Sequence, residues 1–238
     1  RQKFLFDATP DMREQLYKLH KEAPDGDFEL AGVFLTHAHI GHYTGLMHFG
    51  YEAMGASDVP VYAMPKMRAY LEKNGPWDQL IRYENVEMRP LVDEQTVSVA
   101  PSLAVMPFHV PHRDEYSETV GFRIRGPNKT AIFIPDIDKW DRWDTDIAEL
   151  VRSVDYALLD AAFFADGELP GRDMSKIPHP FVSESMALFR TLSDEERARV
   201  IFIHMNHSNP LLNPDSPEHA IVTEQGFRVA FEGMRLPL

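Results

Sequence analysis

Three histidines fall within six residues of the stretch THAHIGHYTGL, at His37, His39 and His42. A neutral imidazole offers one nitrogen lone pair to a divalent cation. Two histidines two positions apart at a strand end can aim at one ion, while a third approaches from the following turn. The apolar run LAGVFL directly precedes them and reads as a buried strand, so the imidazoles stand where a strand hands over to a loop. Three later segments repeat that grammar. FHVPHRDE sets His109 and His112 after SLAVM, KTAIFIPDID sets Asp136 and Asp138 after AIFI, and ARVIFIHMNH sets His204 and His207 after VIFI. A carboxylate at the end of a buried strand is costly to desolvate unless a partner or cation compensates it. Together the segments supply imidazoles and carboxylates enough for one or two divalent ions. Zinc is the first expectation, iron or copper the alternatives. The chain has no cysteine, so a thiolate cage, a disulfide framework and a thiol nucleophile are all excluded.

The elements that must position these groups alternate in type. Phe4 and Phe6 alternate as in a strand, and a strand there needs partners; the expectation is that the native protein carries further sequence ahead of Arg1. Thr9-Pro10 reads as a helix start, Met12, Leu16 and Leu19 share one helical face, and Pro24-Asp25-Gly26 is a break. A helical stretch is expected around Tyr43–Phe49, a strand over Val59–Met64, and a helix over Pro65–Lys73. From Val86 to Pro135 the pattern is β, with VEMRPL, QTVSVA, SLAVMPFHV, TVGFRIRG and KTAIFIP separated by turn residues and Gly126-Pro127-Asn128 as a hairpin tip. Then follow a helix over Trp143–Ser153, the strand VDYALLD, a helix over Ser183–Thr191 and the strand ARVIFIH. A helix opens at Ser216-Pro217-Glu218 and stops at Gly226, and GFRVAFEGMRLPL is expected to close the chain as a hairpin. This order implies two similar layered halves.

With 238 residues, 44% hydrophobic and 26% charged, the chain suits one sizeable soluble domain. A formal net charge of −13 argues against a nucleic-acid binder, whose affinity comes from neutralising phosphates, and against an anionic membrane surface. A soluble protein of the cytoplasm or periplasm is expected, acting on a small molecule or a peptide.

The metal-type motifs resemble those of the metallo-β-lactamase superfamily, whose signature is His-x-His-x-Asp-His after a strand. The match runs through His37, His39 and His42. The resemblance then implies His112 as the next ligand, Asp136 as the aspartate shared between two ions, and His204 as the last ligand. It implies that Asp7, in FLFDATP, supports the metal loop from behind. It also implies an α/β fold, an αββα four-layer sandwich forming a single domain over 1–238, with strands ahead of that aspartate in the native protein. Within the superfamily, FDATPDMREQL and IHMNHSNPLLNPDSPEHAIVTEQGFRVAFEGM are similar to the pyrroloquinoline-quinone biosynthesis protein B (PqqB) branch. The intact histidine pair marks a PqqB-like member of it.

One position departs from the hydrolytic pattern. Residue 41 is glycine where those enzymes carry an aspartate that ligates the second ion. The expected first set is His37, His39 and His112; the second is His42, His204 and the shared Asp136, with one negative charge fewer. A metal-dependent hydrolase is the leading expectation. In it Asp136 orients the nucleophile and a protonated His207 or His179 assists the leaving group. An iron- or copper-dependent oxygenase is the alternative, and a non-catalytic metal-binding protein the third. Asp160, ending the strand in YALLDAAFF, reads either as support behind the ligands or as a loop cap. Phe163, Phe164, Trp140 and Trp143 read as packing, and the Gly/Pro-rich loop GELPGRDMSKIPHP as a border of the site.

Overall fold

The structure, a computed structural model, describes residues 2–21 and 29–238. The chain resolves into two compact units, residues 1–95 with 114–120 and residues 96–113 with 121–238. The break at Pro24-Asp25-Gly26 lies outside the described residues.

The first unit is built on a four-stranded sheet in the order β1-β2-β3-β4. Its elements run β1 (Gln2–Phe6), α1 (Met12–Lys21), β2 (Glu29–Phe34), α2 (Ile40–Tyr43), β3 (Val59–Ala63), α3 (Pro65–Lys73), α4 (Trp77–Arg82) and β4 (Val86–Pro90). All three strand pairs are parallel, and β1 finds its partner in β2, with Phe6 opposite Phe34. One side of the sheet carries a stack of rings: Phe6 on Phe34 at 5.0 Å and Phe34 on Tyr62 at 4.3 Å. The helical layer supplies Met12, Leu16, Leu46, Phe49, Met67 and Leu71 to a core shared with Val33, Leu35 and Val61. Each such side chain contributes about 1.5–3 kcal/mol when fully buried.

The second unit carries a seven-stranded sheet in the order β11-β10-β9-β8-β7-β6-β5. Its strands are β5 (Val97–Ala100), β6 (Leu103–His109), β7 (Val120–Arg125), β8 (Thr130–Ile134), β9 (Tyr156–Asp160), β10 (Val200–Ile203) and β11 (Arg228–Val229). Helices α5 (Ile147–Arg152), α6 (Val182–Leu188), α7 (Asp194–Arg197) and α8 (Pro217–Glu224) lie in the connections between β8 and β11. β7 and β8 form the antiparallel hairpin expected at Gly126-Pro127-Asn128, closed by the Gly126 amide on the Lys129 carbonyl at 2.9 Å. From β8 to β11 the neighbours are parallel. Strands covered on both faces read as unbroken apolar runs, which accounts for AIFI, YALL and VIFI. Because β8, β9 and β10 are adjacent and parallel, their C-terminal ends fall side by side on one sheet edge, where ligands are habitually held in such folds. Asp136, Asp160 and His204 stand there.

Several local expectations are corrected. GFRVAFEGMRLPL does not close as a hairpin: after Gly226, at φ +86°, Arg228–Val229 pairs in parallel with β10, and no strand follows. The segment completes a β10–α8–β11 crossover, so its partner is the strand before the helix. The helix expected over Trp143–Ser153 begins only at Ile147, because Asp146 accepts hydrogen bonds from the amides of Ala148 and Glu149 and so caps it there. Tyr43–Phe49 is split: α2 ends at Tyr43, and Thr44–Phe49 continues as a 3-10 helix. Likewise Ser183–Thr191 is α6 followed by a 3-10 turn over Phe189–Thr191. Thr9 is no cap; its hydroxyl is buried without a hydrogen-bond partner, and α1 starts at Met12. VEMRPL, grouped by pattern with the later β run, belongs to the first sheet. Among the described residues no helix is long and apolar enough to cross a membrane.

Candidate functional site

In the first unit the strand end of β1 meets the strand end of β2. Asp7 follows β1 in the left-handed region, φ +64°, with its amide on the Phe34 carbonyl at 2.8 Å. That conformation is uncommon outside glycine but accessible to aspartate, and here it turns the carboxylate towards Thr36. Asp7 Oδ1 accepts from the Thr36 amide at 2.8 Å and from its hydroxyl at 2.9 Å, and Oδ2 accepts from His42 Nδ1 at 2.7 Å. Asp7, Thr36, His37 and His42 are all buried.

These bonds fix the imidazole tautomers. The ionised Asp7 carboxylate only accepts, so His42 carries its proton on Nδ1 and presents a bare Nε2. The Thr36 hydroxyl has one hydrogen, committed to Asp7. Its contact with His37 Nδ1, at 2.9 Å, is therefore an Nδ1–H donated to Thr36 Oγ1, and His37 Nε2 is also bare. His39 Nε2 faces the Glu115 carboxylate at 3.2 Å, which places its proton on Nε2 and leaves Nδ1 bare. His37 Nε2 and His39 Nδ1 lie 2.8 Å apart. Two lone pairs at that separation repel unless a cation, a proton or a metal ion, is shared between them. Each of the three histidines thus has an oxygen partner behind it and one nitrogen held ready, the arrangement that orients metal-ligating histidines. The donor set fits a divalent ion.

In the second unit, His112 Nε2 lies 3.1 Å from Asp136 Oδ1, with both side chains almost wholly buried. The Asp138 amide donates to the Pro111 carbonyl at 2.7 Å and so holds the two loops together. Asp160, fully buried, accepts from the amides of Ile137 at 3.1 Å and Ala162 at 2.8 Å and from His179 Nδ1 at 2.8 Å. His179 Nδ1 is also 3.2 Å from Asp136 Oδ1. Asp136, Asp160, His179 and His204 each bring one ligand atom within 4.8 Å of the others, and His204 takes the left-handed φ of +61° there. Two carboxylates and two imidazoles balance the charge of a divalent ion. Burial works to raise the Asp160 carboxyl, but the charges of His179 and His204 and their hydrogen bonds outweigh it and hold the group below its ordinary range. Burial opposes a charged His179, yet the Asp160 carboxylate, aided by Asp136, lifts it above the ordinary histidine value.

The sequence-predicted residues thus fall into two sets. His37, His39, His42 and Asp7 meet in the first unit; His112, Asp136, Asp160 and His204 stand in the second. His207 is exposed on the loop after β10, and His109 is exposed at the end of β6. Asp138 pairs with Arg142 at 2.7 Å and caps its own turn. Trp140 is core, its indole N–H on the Ser185 hydroxyl. Sequence reasoning passed over Thr36 and Glu115 and gave His179 only a minor part. The IPHP stretch hinted at a loop histidine, whereas nothing in RDEYSET marks Glu115 as a partner of His39.

A family model described as a beta-lactamase superfamily domain matches residues 2–205. The chain is 28% identical over 255 residues to coenzyme PQQ synthesis protein B of Cupriavidus necator, covering 98% of this chain and 83% of that protein. It is 25% identical over 261 residues to the protein of the same name from Klebsiella pneumoniae, covering 98% and 82%. Among solved structures, zinc-bound PqqB from Methylobacterium extorquens is similar with a TM-score of 0.78 at 24% identity, covering 99% of this chain and 83% of that one. A diphosphatase of the PhnP family gives 0.65 at 23% identity, covering 99% and 79%. These likenesses show that the chain has their fold.

Proposed function

Because this chain belongs to the β-lactamase superfamily, as a PqqB-like member, we propose that it is a metal-dependent hydrolase acting on a small molecule or a peptide. The observation that carries the reading is the braced histidine triad, in which His37 Nε2 and His39 Nδ1 converge to 2.8 Å with their far nitrogens held by Thr36 and Glu115. Following the superfamily motif, we read His37, His39 and His42 in the first unit, and His112, Asp136 and His204 in the second, as the residues that would hold metal. When bound, such ions acidify a water and polarise the substrate's carbonyl or phosphoryl oxygen.

The chain's own residues do the rest. Asp136 orients the attacking water as an acceptor. Asp7 keeps His42 in the Nδ1–H tautomer, and Asp160 does the same for His179. His179 in its protonated form carries an exchangeable proton at Nε2 for a leaving group, a role that its raised pKa suits.

A second reading, an iron- or copper-dependent oxygenase, is favoured by two observations. The curated relatives are named for coenzyme PQQ synthesis. Gly41 also leaves the ligand set rich in neutral imidazole, which suits iron or copper as well as zinc. The test is to strip the protein with chelator, reload it separately with zinc, iron(II) and copper, and assay chromogenic esters, phosphodiesters and peptides beside an oxygen electrode. Hydrolysis restored by zinc without oxygen uptake is expected. Turnover that needs iron or copper together with dioxygen would transfer the assignment to the oxygenase, and metal binding without any turnover would leave a binding protein.

A further inference from the structure

The segment 114–120 lies far from the metal loop in sequence yet is fastened to it at three points within the first unit, and to helix α3 at a fourth. Ser117 Oγ, 2% exposed, accepts from the Ala38 amide at 2.8 Å, between the first two histidines, and donates to the Glu118 carbonyl at 2.9 Å. The Val120 amide donates to the Thr36 carbonyl at 3.1 Å. The Glu118 carboxylate takes the first free amides of α3, from Lys66 at 2.9 Å and Met67 at 3.3 Å, and so anchors the segment to a helix end. The third point on the metal loop is Glu115, whose carboxylate meets His39 Nε2 at 3.2 Å.

We propose that Glu115 is a positioning residue for the metal ligand His39, and that the strap 114–120 exists to deliver it. The inference rests on the metal-dependent reading above. The geometry leaves His39 only one productive tautomer: with Nε2–H donated to Glu115, Nδ1 is the atom facing His37 Nε2. Removing the carboxylate takes away the acceptor at Nε2 that fixes the proton there, and the ring, only partly buried, can then protonate Nδ1 or turn. Asp7 and Thr36 are reachable from the strand ends they close. The Glu115 side chain is about half exposed and reaches His39 from the strap. Neighbouring Tyr116 keeps the strap in place from the other side, 5.4 Å from the Tyr70 ring.

The test uses Glu115→Ala and Glu115→Gln in the full chain, titrated with zinc(II) by calorimetry and with cobalt(II) by visible absorption. Loss of an outer carboxylate partner lowers metal affinity roughly 10–100-fold. Glu115→Ala is expected to weaken the first ion by that factor and to change the cobalt spectrum. Glu115→Gln, whose Oε1 still accepts from Nε2, is expected to retain most of both. Thermal unfolding of the chelated protein should be unmoved in either variant, since a half-exposed side chain contributes little packing. Wild-type affinity and an unaltered cobalt spectrum in Glu115→Ala would overturn the inference while leaving the metal reading intact. Failure of the unaltered protein to bind either ion would overturn both.

Discussion

At the scale of single residues, the ligands are prepared by the atoms behind them. Asp7 accepts from the Thr36 amide, the Thr36 hydroxyl and His42. Replacing it with alanine strands a buried amide and frees two tautomers at once. Asp7→Ala should therefore lower the stability of the chelated protein by about 3 kcal/mol, read from urea unfolding, and weaken zinc binding as well. Gly41 is the reverse case. A Cβ at that position would meet nothing within 4 Å, so Gly41→Asp fits without strain and restores the charge that the hydrolytic pattern has there. Metal occupancy should rise in calorimetric titration, and unchanged stoichiometry and affinity would count against reading the 37–42 loop as a metal-binding segment. The His179–Asp160 pair makes the metal-free protein pH-sensitive in a definite direction. His179 is raised from 6.5, so its contribution is complete below that pH and is lost as pH rises through the folded value. Asp160 is lowered from 3.8, so its contribution is complete above that pH and is lost as pH falls through the folded value. Urea midpoints of the chelated protein should show the pair's full contribution between those limits, and His179→Ala should flatten the alkaline side.

At the scale of elements, strand ends did most of what could be read in advance. An apolar run followed by Asp or His marks β1, β2, β8, β9 and β10 correctly; for the largely buried β8, β9 and β10 the reason is that parallel strands covered on both faces stay apolar until the chain emerges at the sheet edge. The Pro65–Lys73 helix was legible residue for residue, since proline at its first position and Asn74-Gly75-Pro76 after it are local signals. What escaped was set by distance in sequence. Glu115 and His39 are separated by 76 positions, and no periodicity connects them. The closing hairpin was misread because RVAF carries strand propensity without saying which strand receives it. The junction of β1, α1 and α2 depends on one close approach: Gly45 donates to the Ala8 carbonyl at 2.9 Å while the Ala8 amide donates to the His42 carbonyl at 2.8 Å. A Cβ on Gly45 would run into the Thr9 carbonyl oxygen and lie 2.8 Å from Met12 Cβ. Gly45→Ala should destabilise by about 1–3 kcal/mol through overpacking, seen as a lower urea midpoint. Because the shift falls on the segment carrying His42, zinc affinity should fall with it.

At the scale of the whole molecule, a chain of net charge −13 carries clustered imidazoles and carboxylates in each of its compact units. The acidic balance disfavours polyanionic partners and favours cations. Any ion that binds only the folded protein adds to its stability by mass action, about 2.7 kcal/mol at a hundredfold excess over Kd. Chelation should therefore lower the unfolding temperature and zinc should restore it. The most direct measurement is the metal content of untagged protein purified without chelator, determined by elemental analysis beside a His37→Ala, His39→Ala double variant. About one to two equivalents of divalent metal per chain, falling by at least half in the double variant, are predicted. Only trace metal in the unaltered protein, or a content that the two substitutions leave unchanged, would contradict the claim that these histidines exist to hold an ion.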